Sequence, residues 1–304
     1  MPVRIGTRDS LLARWQAEWV AAELRSHGHD VLLVPIRTRG DSDQREPIGL
    51  LGSQGVFTKE LQRALLEGEI DVAVHSLKDL PTDEVAGLRI AAVPQRGPVA
   101  DALVAGEAHC LDELAPGAIV GTGSLRRRAQ LLYRRDDLRV EGIRGNVDTR
   151  LRKLDDGQYA AVVLAEAGLT RLGLADRITQ RLPLAIMLPA VGQGALAIEA
   201  RADHKDVMAA VAPLDHPGTH VAVIAERAML AALQGGCLAP IAAYGLVRGN
   251  RLTLRGRVVH PLGRRLVEAC SDSAPDEGAA LGRQVADSLL AQGADEFIQE
   301  GRNA

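Results

Sequence analysis

Three short motifs occur twice in this chain, in the same order. Ile5-Gly6-Thr7 with Ser10-Leu11 and Gln16 returns as Val120-Gly121-Thr122 with Ser124-Leu125 and Gln130. Arg39-Gly40-Asp41 returns as Arg144-Gly145-Asn146, and Gly68-Glu69-Ile70-Asp71-Val72-Ala73-Val74 returns as Gly157-Gln158-Tyr159-Ala160-Ala161-Val162-Val163. The separations fall from 115 to 105 to 89 positions, so the second copy is shorter. A repeat of roughly 100 residues is a whole domain, not a solenoid unit. Two related lobes are expected.

Within each copy, short apolar β-like runs alternate with helical patterns. Val3 to Ile5 precedes a helix from about Ser10 to Arg25, where Leu11, Trp15, Trp19, Val20 and Leu24 recur at helical spacing. Val31 to Thr38 and Leu88 to Pro94 read as strands, Phe57 to Leu66 as a helix and Asp71 to His75 as a buried strand. This alternation predicts parallel α/β architecture. Met187 to Gly194 reads as a crossover, and Ala195 to Glu199 as a strand that rejoins the first sheet. With Pro94 to Pro98 it would form a two-stranded hinge. The extra chain of the first copy falls at Ser42 to Gly55, a polar stretch without periodicity that reads as a surface loop or lid.

From about His216 the pattern changes. A helix from about Thr219 to Leu233 ends at Gln234-Gly235-Gly236-Cys237, three alternating segments follow (Ile241 to Val247, Arg251 to Val259, Arg264 to Cys270), and a helix runs from about Asp276 to Leu290. Strands followed by a helix predict a small α+β domain with an antiparallel sheet. The expected division is a first lobe at 1–95 plus 195–213, a second at 99–190 and a C-terminal domain at 217–304.

Composition narrows the function. The 304 residues carry a formal charge of −3 and only 2% aromatics, which gives no general pull on phosphate backbones and no stacking platform for single strands. No nucleic-acid partner is expected. No apolar run approaches the ~20 residues of a membrane span, and MPVRIGTRDS holds no apolar signal core, so a cytoplasmic address and no membrane partner are expected. Cys110, Cys237 and Cys270 form no CxxC and have no His at zinc-ligand spacing, so neither a disulfide framework nor a metal is expected.

The basic residues are skewed toward a planar fork. Of 36 Lys and Arg, only Lys59, Lys78, Lys153 and Lys205 are lysines. Residues 122–152 hold nine arginines against four acids. Guanidinium groups bind carboxylates with two parallel hydrogen bonds, so clustered arginines point to planar anions, although about half of such a run is ordinarily a solvated face. Thr7-Arg8-Asp9-Ser10 and Thr122-Gly123-Ser124 with Arg126 and Arg127 follow matching strands, where open α/β sheets bind ligands. Judged alone, Ser10 and Ser124 are helix N-caps; duplicated beside arginines, they read as an anion clamp. His75-Ser76-Leu77-Lys78-Asp79-Leu80-Pro81 leaves a buried strand, and Pro81 favours a fixed loop there. Asp79 is then either a turn residue or a carboxylate able to stabilise a developing cation. Cys237 follows two glycines; a single cysteine is ordinarily a small buried apolar residue, and otherwise the negative end of the preceding helix opposes thiolate formation and suits it to one alkylation.

In this order and spacing, GTRDSLLARWQ, HSLKDLPT, GTGSLRRRAQL, IRGNVDTRL, AGLTRLGL, PAVGQGALAIE and ERAMLAALQGGCLAPI resemble the porphobilinogen deaminases, also called hydroxymethylbilane synthases. The resemblance runs from about residue 3 to 300. It implies two periplasmic-binding-protein-like (type II) α/β lobes plus the C-terminal α+β domain. It also implies a transferase that carries a dipyrromethane cofactor on the GGC cysteine, Cys237. Four porphobilinogens are condensed onto that primer with loss of ammonia, and the linear tetrapyrrole is hydrolysed off. By similarity Asp79 is catalytic, and Lys78, Asp79, Thr122, Ser124, Arg126, Arg127 and Arg144 contact the cofactor. Arg8, Ser10, Arg144, Arg150, Arg171 and Gln193 bind substrate, the partners are porphobilinogen and the growing polypyrrole, and the protein is a monomer. Two positions depart from the family pattern: Gln54, where many relatives have lysine, and Gly123, where a small hydroxylated residue is common. Two rival classes share parts of this pattern. A non-catalytic carboxylate-binding protein leaves Asp79 and Cys237 unexplained, and a thiol-dependent transferase using Cys237 directly lacks a sequence-adjacent His.

Overall fold

The computed structural model describes residues 1–36, 58–236 and 239–303. The first copy contains β1 (Val3–Thr7), α1 (Leu11–Ser26), β2 (Val31–Pro35), α2 (Lys59–Leu66), β3 (Val72–Ser76) and β4 (Leu88–Ala92). The second contains β5 (Asp101–Ala105), β6 (Ile119–Gly121), α3 (Leu125–Arg134), β7 (Arg139–Glu141), α4 (Val147–Asp155), β8 (Ala161–Ala165), α5 (Glu166–Arg171) and β9 (Gln180–Arg181). The chain continues through β10 (Leu196–Arg201), α6 (Lys205–Val211) and α7 (Pro217–Ala232). It ends with β11 (Ile241–Arg248), β12 (Arg251–Val259), β13 (Leu266–Ser273), α8 (Gly278–Leu290) and α9 (Ala294–Asn303). These elements form two compact units: Met1–Gly97 with Ala195–His220, and Pro98–Gly194 with Val221–Ala304.

In the first unit the sheet order is β2-β1-β3-β10-β4. Its central strand β3 is buried on both faces, which is why it reads as a continuous apolar run. Val72 and Val74 meet Ala17, Val20, Ala21 and Leu24 of α1, while Ala73 faces Leu61 and Leu65 of α2. The strands are not all parallel. β1 runs parallel to β2 and β3, but β10 is antiparallel to β3 and β4, because it re-enters the sheet after the whole second copy has been laid down.

The second unit repeats the plan as β7-β6-β8-β5-β9, with β5 antiparallel to β8 and β9. The duplication holds to the residue. Ile5 pairs with Val72 and Gly6 with Ala73, as Val120 pairs with Ala161 and Gly121 with Val162. A Cβ on Gly6 would come 2.3 Å from Ile70 Cδ1, and one on Gly121 would come 2.9 Å from the Tyr159 ring. Ile70 and Tyr159 are themselves equivalent, so each copy needs a glycine to admit the same side chain beneath its first strand.

The same unit holds the antiparallel sheet β11-β12-β13, whose first hairpin turns through Gly249 at φ +57°. Leu252, Leu254 and Val258 of β12 pack with Ala225 and Met229 of α7 and Leu281, Val285 and Leu289 of α8. α9 is an element the periodicity reading ended short of. Gly293 at φ +87° breaks the chain after α8, and Ala294, Phe297 and Ile298 bury one stripe of the new helix.

Candidate functional site

In the first unit, two adjacent strand ends present the expected residues. β1 ends at the buried Thr7, whose hydroxyl donates to the Arg8 carbonyl at 3.2 Å. Arg8 and Ser10 are half-buried, and Ser10 Oγ accepts from Ala13 N at 3.3 Å as the cap of α1. β3 ends at Ser76, whose hydroxyl accepts from Gln16 Nε2 at 2.7 Å. One residue earlier, the buried His75 Nε2 lies 3.0 Å from Glu199 Oε2, and Gln62 Nε2 donates to Glu199 Oε1 at 3.0 Å.

The chain then makes one 3-10 turn, Leu77–Asp79, and leaves in the extended conformation at Leu80 (φ −85°, ψ 121°), as the following proline dictates. Leu77 and Leu80 are buried anchors, and Leu77 N is bonded to Ala195 O at 3.1 Å. Lys78 is half-buried. Asp79 is exposed and forms no ion pair among the described residues. A carboxylate is thus held out on a turn whose neighbours are fixed.

In the second unit the corresponding strand end is more heavily built. Ser124 caps α3, its Oγ accepting from Arg127 N at 3.5 Å, while its own N donates to Thr122 Oγ1 at 3.2 Å. Gly123 has a local reason: a Cβ there would lie 2.9 Å from the Ile143 carbonyl oxygen.

Arg126 and Arg127 do not stand open to solvent. They are buried against Asp101, which is 0% exposed. Arg126 Nη1 donates to Asp101 Oδ2 at 2.7 Å and to the Leu188 carbonyl at 2.6 Å; Arg127 Nε donates to Asp101 Oδ1 at 2.9 Å and its Nη1 to the Val163 carbonyl at 3.0 Å. Gln193, also fully buried, donates from Nε2 to Asp101 Oδ1 at 3.0 Å and to Val99 O at 2.8 Å. Burial by itself would raise the Asp101 pKa. The two guanidiniums, with hydrogen bonds from Arg126 and Gln193, outweigh it and hold the carboxyl at about 2. Arg126 Nε is buried with no hydrogen-bond partner.

The remaining candidates lie on the same unit. Arg144 is exposed in the loop before α4, where Gly145 takes φ +104°. Arg150 donates from Nε to Gly145 O at 2.7 Å, and Arg171, at the end of α5, donates from Nη2 to Gly194 O at 2.7 Å. Burial lowers the Arg171 pKa to about 10. Of the other arginines of the 122–152 run, Arg134 with Asp112 and Arg139 with Glu141 are surface pairs, while Arg135 is half-buried, pairing with Asp137 and donating to the Leu111 and Leu114 carbonyls. Cys237 and the Ser42 to Gly55 segment with Gln54 lie outside the described residues. Before Cys237, Gln234 takes φ +50°, and a Cβ on Gly235 would meet Ile241 Cδ1 at 2.4 Å and Leu230 Cδ1 at 2.5 Å. Among the described residues no three His, Cys, Asp or Glu gather as metal ligands, and no helix is long and apolar enough to cross a membrane.

The arrangement therefore offers, on one unit, an exposed carboxylate on a fixed turn and, on the other, buried arginines in the first turn of a capped helix. Comparison with known proteins gives this set its context. A family model described as "Porphobilinogen deaminase, dipyromethane cofactor binding domain" matches residues 3–209, and "Porphobilinogen deaminase, C-terminal domain" matches 220–291. A porphobilinogen deaminase of Pelotomaculum thermopropionicum is 48% identical over 302 residues, covering 99% of this chain and 97% of the relative. The chain belongs to the porphobilinogen deaminase family. Every candidate named above except Cys237 falls inside the family's cofactor-binding domain. Among solved structures, the methionine-binding protein MetQ is 18% identical over 70% of this chain and 89% of its own, with a TM-score of 0.44. A periplasmic substrate-binding protein from Coxiella burnetii is 13% identical over 74% and 96%, with a TM-score of 0.45.

Asp101 and Glu226 are buried acids bonded to these candidates or to the turn that carries them, and reading the sequence missed both. Asp101 opens an apolar strand, DALVA, where an acid reads as a turn residue. Glu226, 0% exposed on α7, accepts from Gly192 N and Gly245 N, each at 2.7 Å, and so braces the turn that carries Gln193.

Proposed function

We propose that this chain is a hydroxymethylbilane synthase, a transferase of tetrapyrrole (porphyrin and heme) biosynthesis. It condenses four porphobilinogen molecules head to tail onto a dipyrromethane joined to Cys237, releases four ammonia molecules, and hydrolyses off the linear tetrapyrrole. Family membership over nearly the whole chain supports this reading. The observation that carries the site assignment is Asp79, a carboxylate without an ion pair among the described residues, held out on a turn with buried flanks.

The residues present fit the primer. Dipyrromethane carries carboxylates and pyrrole N–H groups, and around α3 two guanidiniums are buried against one carboxylate, with Arg126 Nε buried and without a hydrogen-bond partner. Arg126, Arg127, Thr122, Ser124, Arg144 and Lys78 would hold the carboxylates, and Asp79 the N–H groups. When bound, the group supplies a nucleophilic pyrrole carbon on a tether. Arg8, Ser10, Arg144, Arg150 and Arg171 take the acetate and propionate of porphobilinogen, with Gln193 acting through Asp101. Asp79 accepts hydrogen bonds from pyrrole N–H groups, stabilises the cation that develops as ammonia departs, and receives a proton. The same reading takes the protein as a cytoplasmic monomer that binds neither nucleic acid nor membrane; light scattering of the purified protein tests the oligomeric state.

Intact mass of the purified protein is expected to show an adduct of two linked pyrroles, mapped to Cys237 and absent from Cys237→Ser. A non-catalytic binding protein, or one using a free thiol, shows no adduct. Asp79→Ala keeps fold and adduct but loses roughly 10²–10⁴ in ammonia release, the scale of a positioned acid–base group. Undiminished release removes Asp79 from the mechanism.

A further inference from the structure

The glutamine that closes the first duplicated motif is engaged differently in the two copies. In the first, Gln16 Nε2 donates to Ser76 Oγ at 2.7 Å, at the end of β3. In the second, Ala165 stands in the place of Ser76 and offers no hydroxyl. Gln130 turns instead to the segment 185–192. Its Oε1 accepts from Leu188 N at 2.9 Å, and its Nε2 donates to Leu188 O at 3.0 Å. Arg126 Nη1 donates to the same carbonyl at 2.6 Å. Leu188 is thus gripped from two successive turns of α3, by residues four positions apart on one helix face.

The same segment is bonded to the C-terminal domain. Pro189 O accepts from Ala243 N of β11 at 3.0 Å, and Gly192 N donates to Glu226. Arg257 of β12, 4% exposed, joins all three parts. Its Nε donates to Glu268 Oε2 of β13 at 2.7 Å, its Nη2 to Ala185 O at 3.0 Å, and its Nη1 to Gln130 Oε1 at 2.9 Å. A planar guanidinium can serve acceptors in three separate segments at once, and a lysine ammonium cannot reproduce that fork. Close by, the β12–β13 turn lies against α3: a Cβ on Gly263 would run into the backbone of Leu132 and Tyr133. Packing alone does not require a cation at this interface, because an apolar side chain would fill the space without the cost of desolvating a charge. The best-attested use of such a buried group is to fix register.

We infer that Arg257 is a positioning residue: through Gln130 it registers α3, with Arg126 in its first turn, on the domain that carries the primer. The inference rests on the function proposed above, in which the primer is tethered at Cys237 of the C-terminal domain while its carboxylates are held from α3. A tethered group keeps its reacting geometry only if anchor and clamp keep their separation, and a misplacement of about 1 Å can cost roughly 100-fold in rate. Arg257 touches neither primer nor substrate in this scheme. It sets where the clamp lies relative to the anchor.

The test uses Arg257→Met, which keeps an unbranched apolar stem, and Gln130→Met, which removes the acceptor on α3 and leaves the other bonds of Arg257 in place. Adduct-bearing chains are counted by intact mass, and ammonia release is expressed per adduct-bearing chain. In both variants kcat on that basis is expected to fall about tenfold or more with KM within about twofold of the wild type. Arg257→Lys is expected not to restore it. A second readout is independent of turnover: in Arg257→Met the Leu188 amide, whose acceptor Arg257 orients, should exchange its hydrogen roughly tenfold faster, while the Gly192 amide on Glu226 keeps its wild-type rate. Gly282→Ala, which strains the α7–α8 contact of the same domain, is the control for stability alone, and its kcat per adduct-bearing chain should stay at the wild-type level. Wild-type kcat in either folded variant overturns the inference, and so does an equal loss in Gly282→Ala. A raised KM with intact kcat overturns it by placing Arg257 with the incoming substrate. A lost kcat without faster exchange at Leu188 overturns the route through Gln130. If neither variant folds, the contact is structural and the inference fails. A wild type without adduct sinks the functional reading itself.

Discussion

Glu226 is the most exacting structural test. It is 0% exposed, and its two oxygens accept from Gly192 N and Gly245 N at 2.7 Å each. A hydrogen bond to a charged group contributes about 1.5–3 kcal/mol, so the pair supplies about 3–6 kcal/mol, a large part of the ~5–15 kcal/mol that holds a domain. Glu226→Ala should leave two buried amides without acceptors and abolish folded protein. Glu226→Gln is the sharper perturbation. Its carboxamide oxygen can serve one amide, but its NH2 then faces the other, donor against donor, at a cost of about 2–3 kcal/mol. Because about 1.4 kcal/mol is a factor of ten, one of the two glycine amides should exchange its hydrogen roughly 30- to 150-fold faster, measured residue by residue by NMR. Wild-type exchange at both glycines would refute the reasoning. The consequence for the site is direct, since Gly192 precedes the glutamine that grips Asp101.

Two further perturbations separate the electrostatic from the steric arguments. The Asp101 carboxyl titrates at about 2 when folded against an ordinary 3.8, so its ionisation contributes about 2 kcal/mol, fully present above pH 4 and lost as pH falls through 2. The triple variant Asp101→Leu/Arg126→Leu/Arg127→Ala, which removes the carboxyl together with its two guanidiniums, should therefore lose less stability between pH 4 and pH 2 than the wild type in acid titrations, and parallel losses would contradict this. A Cβ at Gly282 of α8 would lie 2.4 Å from Ala225 O and 2.8 Å from Met229 N, both backbone, whereas one at Gly106 meets nothing within 4 Å. Gly282→Ala should cost at least about 1–3 kcal/mol in urea unfolding. Gly106→Ala should stay within roughly 0.5 kcal/mol of the wild type, and equal effects would refute the close approach of α7 and α8.

Much of the fold was legible because a duplicated sequence carries its own control. Gly6 with Ile70 and Gly121 with Tyr159 are the same contact written twice, so the matches could be aligned before any coordinates. Strand direction was not legible. An apolar run such as Leu196–Arg201 has no intrinsic polarity, and only the route of the chain sends β10 antiparallel into the first sheet. α9 was lost for a different reason: its core stripe is little more than Ala294, Phe297 and Ile298 among acidic residues, too few to mark a period.

At the site, residue types were legible but their engagements were not. Nine arginines in 31 positions announce an anion, yet nothing local says that Arg134 and Arg139 are surface pairs while Arg126 and Arg127 are buried on an acid 25 and 26 residues upstream. The comparison that exposes Asp101 was closed to sequence matching on topological grounds. In the first copy the strand at its position, β10, comes last in the chain; in the second, β5 comes first. Motifs matched in order can never set Leu196 beside Asp101. Only the hydrogen-bonded register does so, and it shows the acid arriving together with the two arginines it holds, in one copy and not the other. The exchange runs both ways, because Glu199 and His75 of the first copy stand where the second has Val104 and Leu164. Each copy therefore buries an acid with its own donors at a different level of the same sheet plan, and only the register tells which acid goes with which donors.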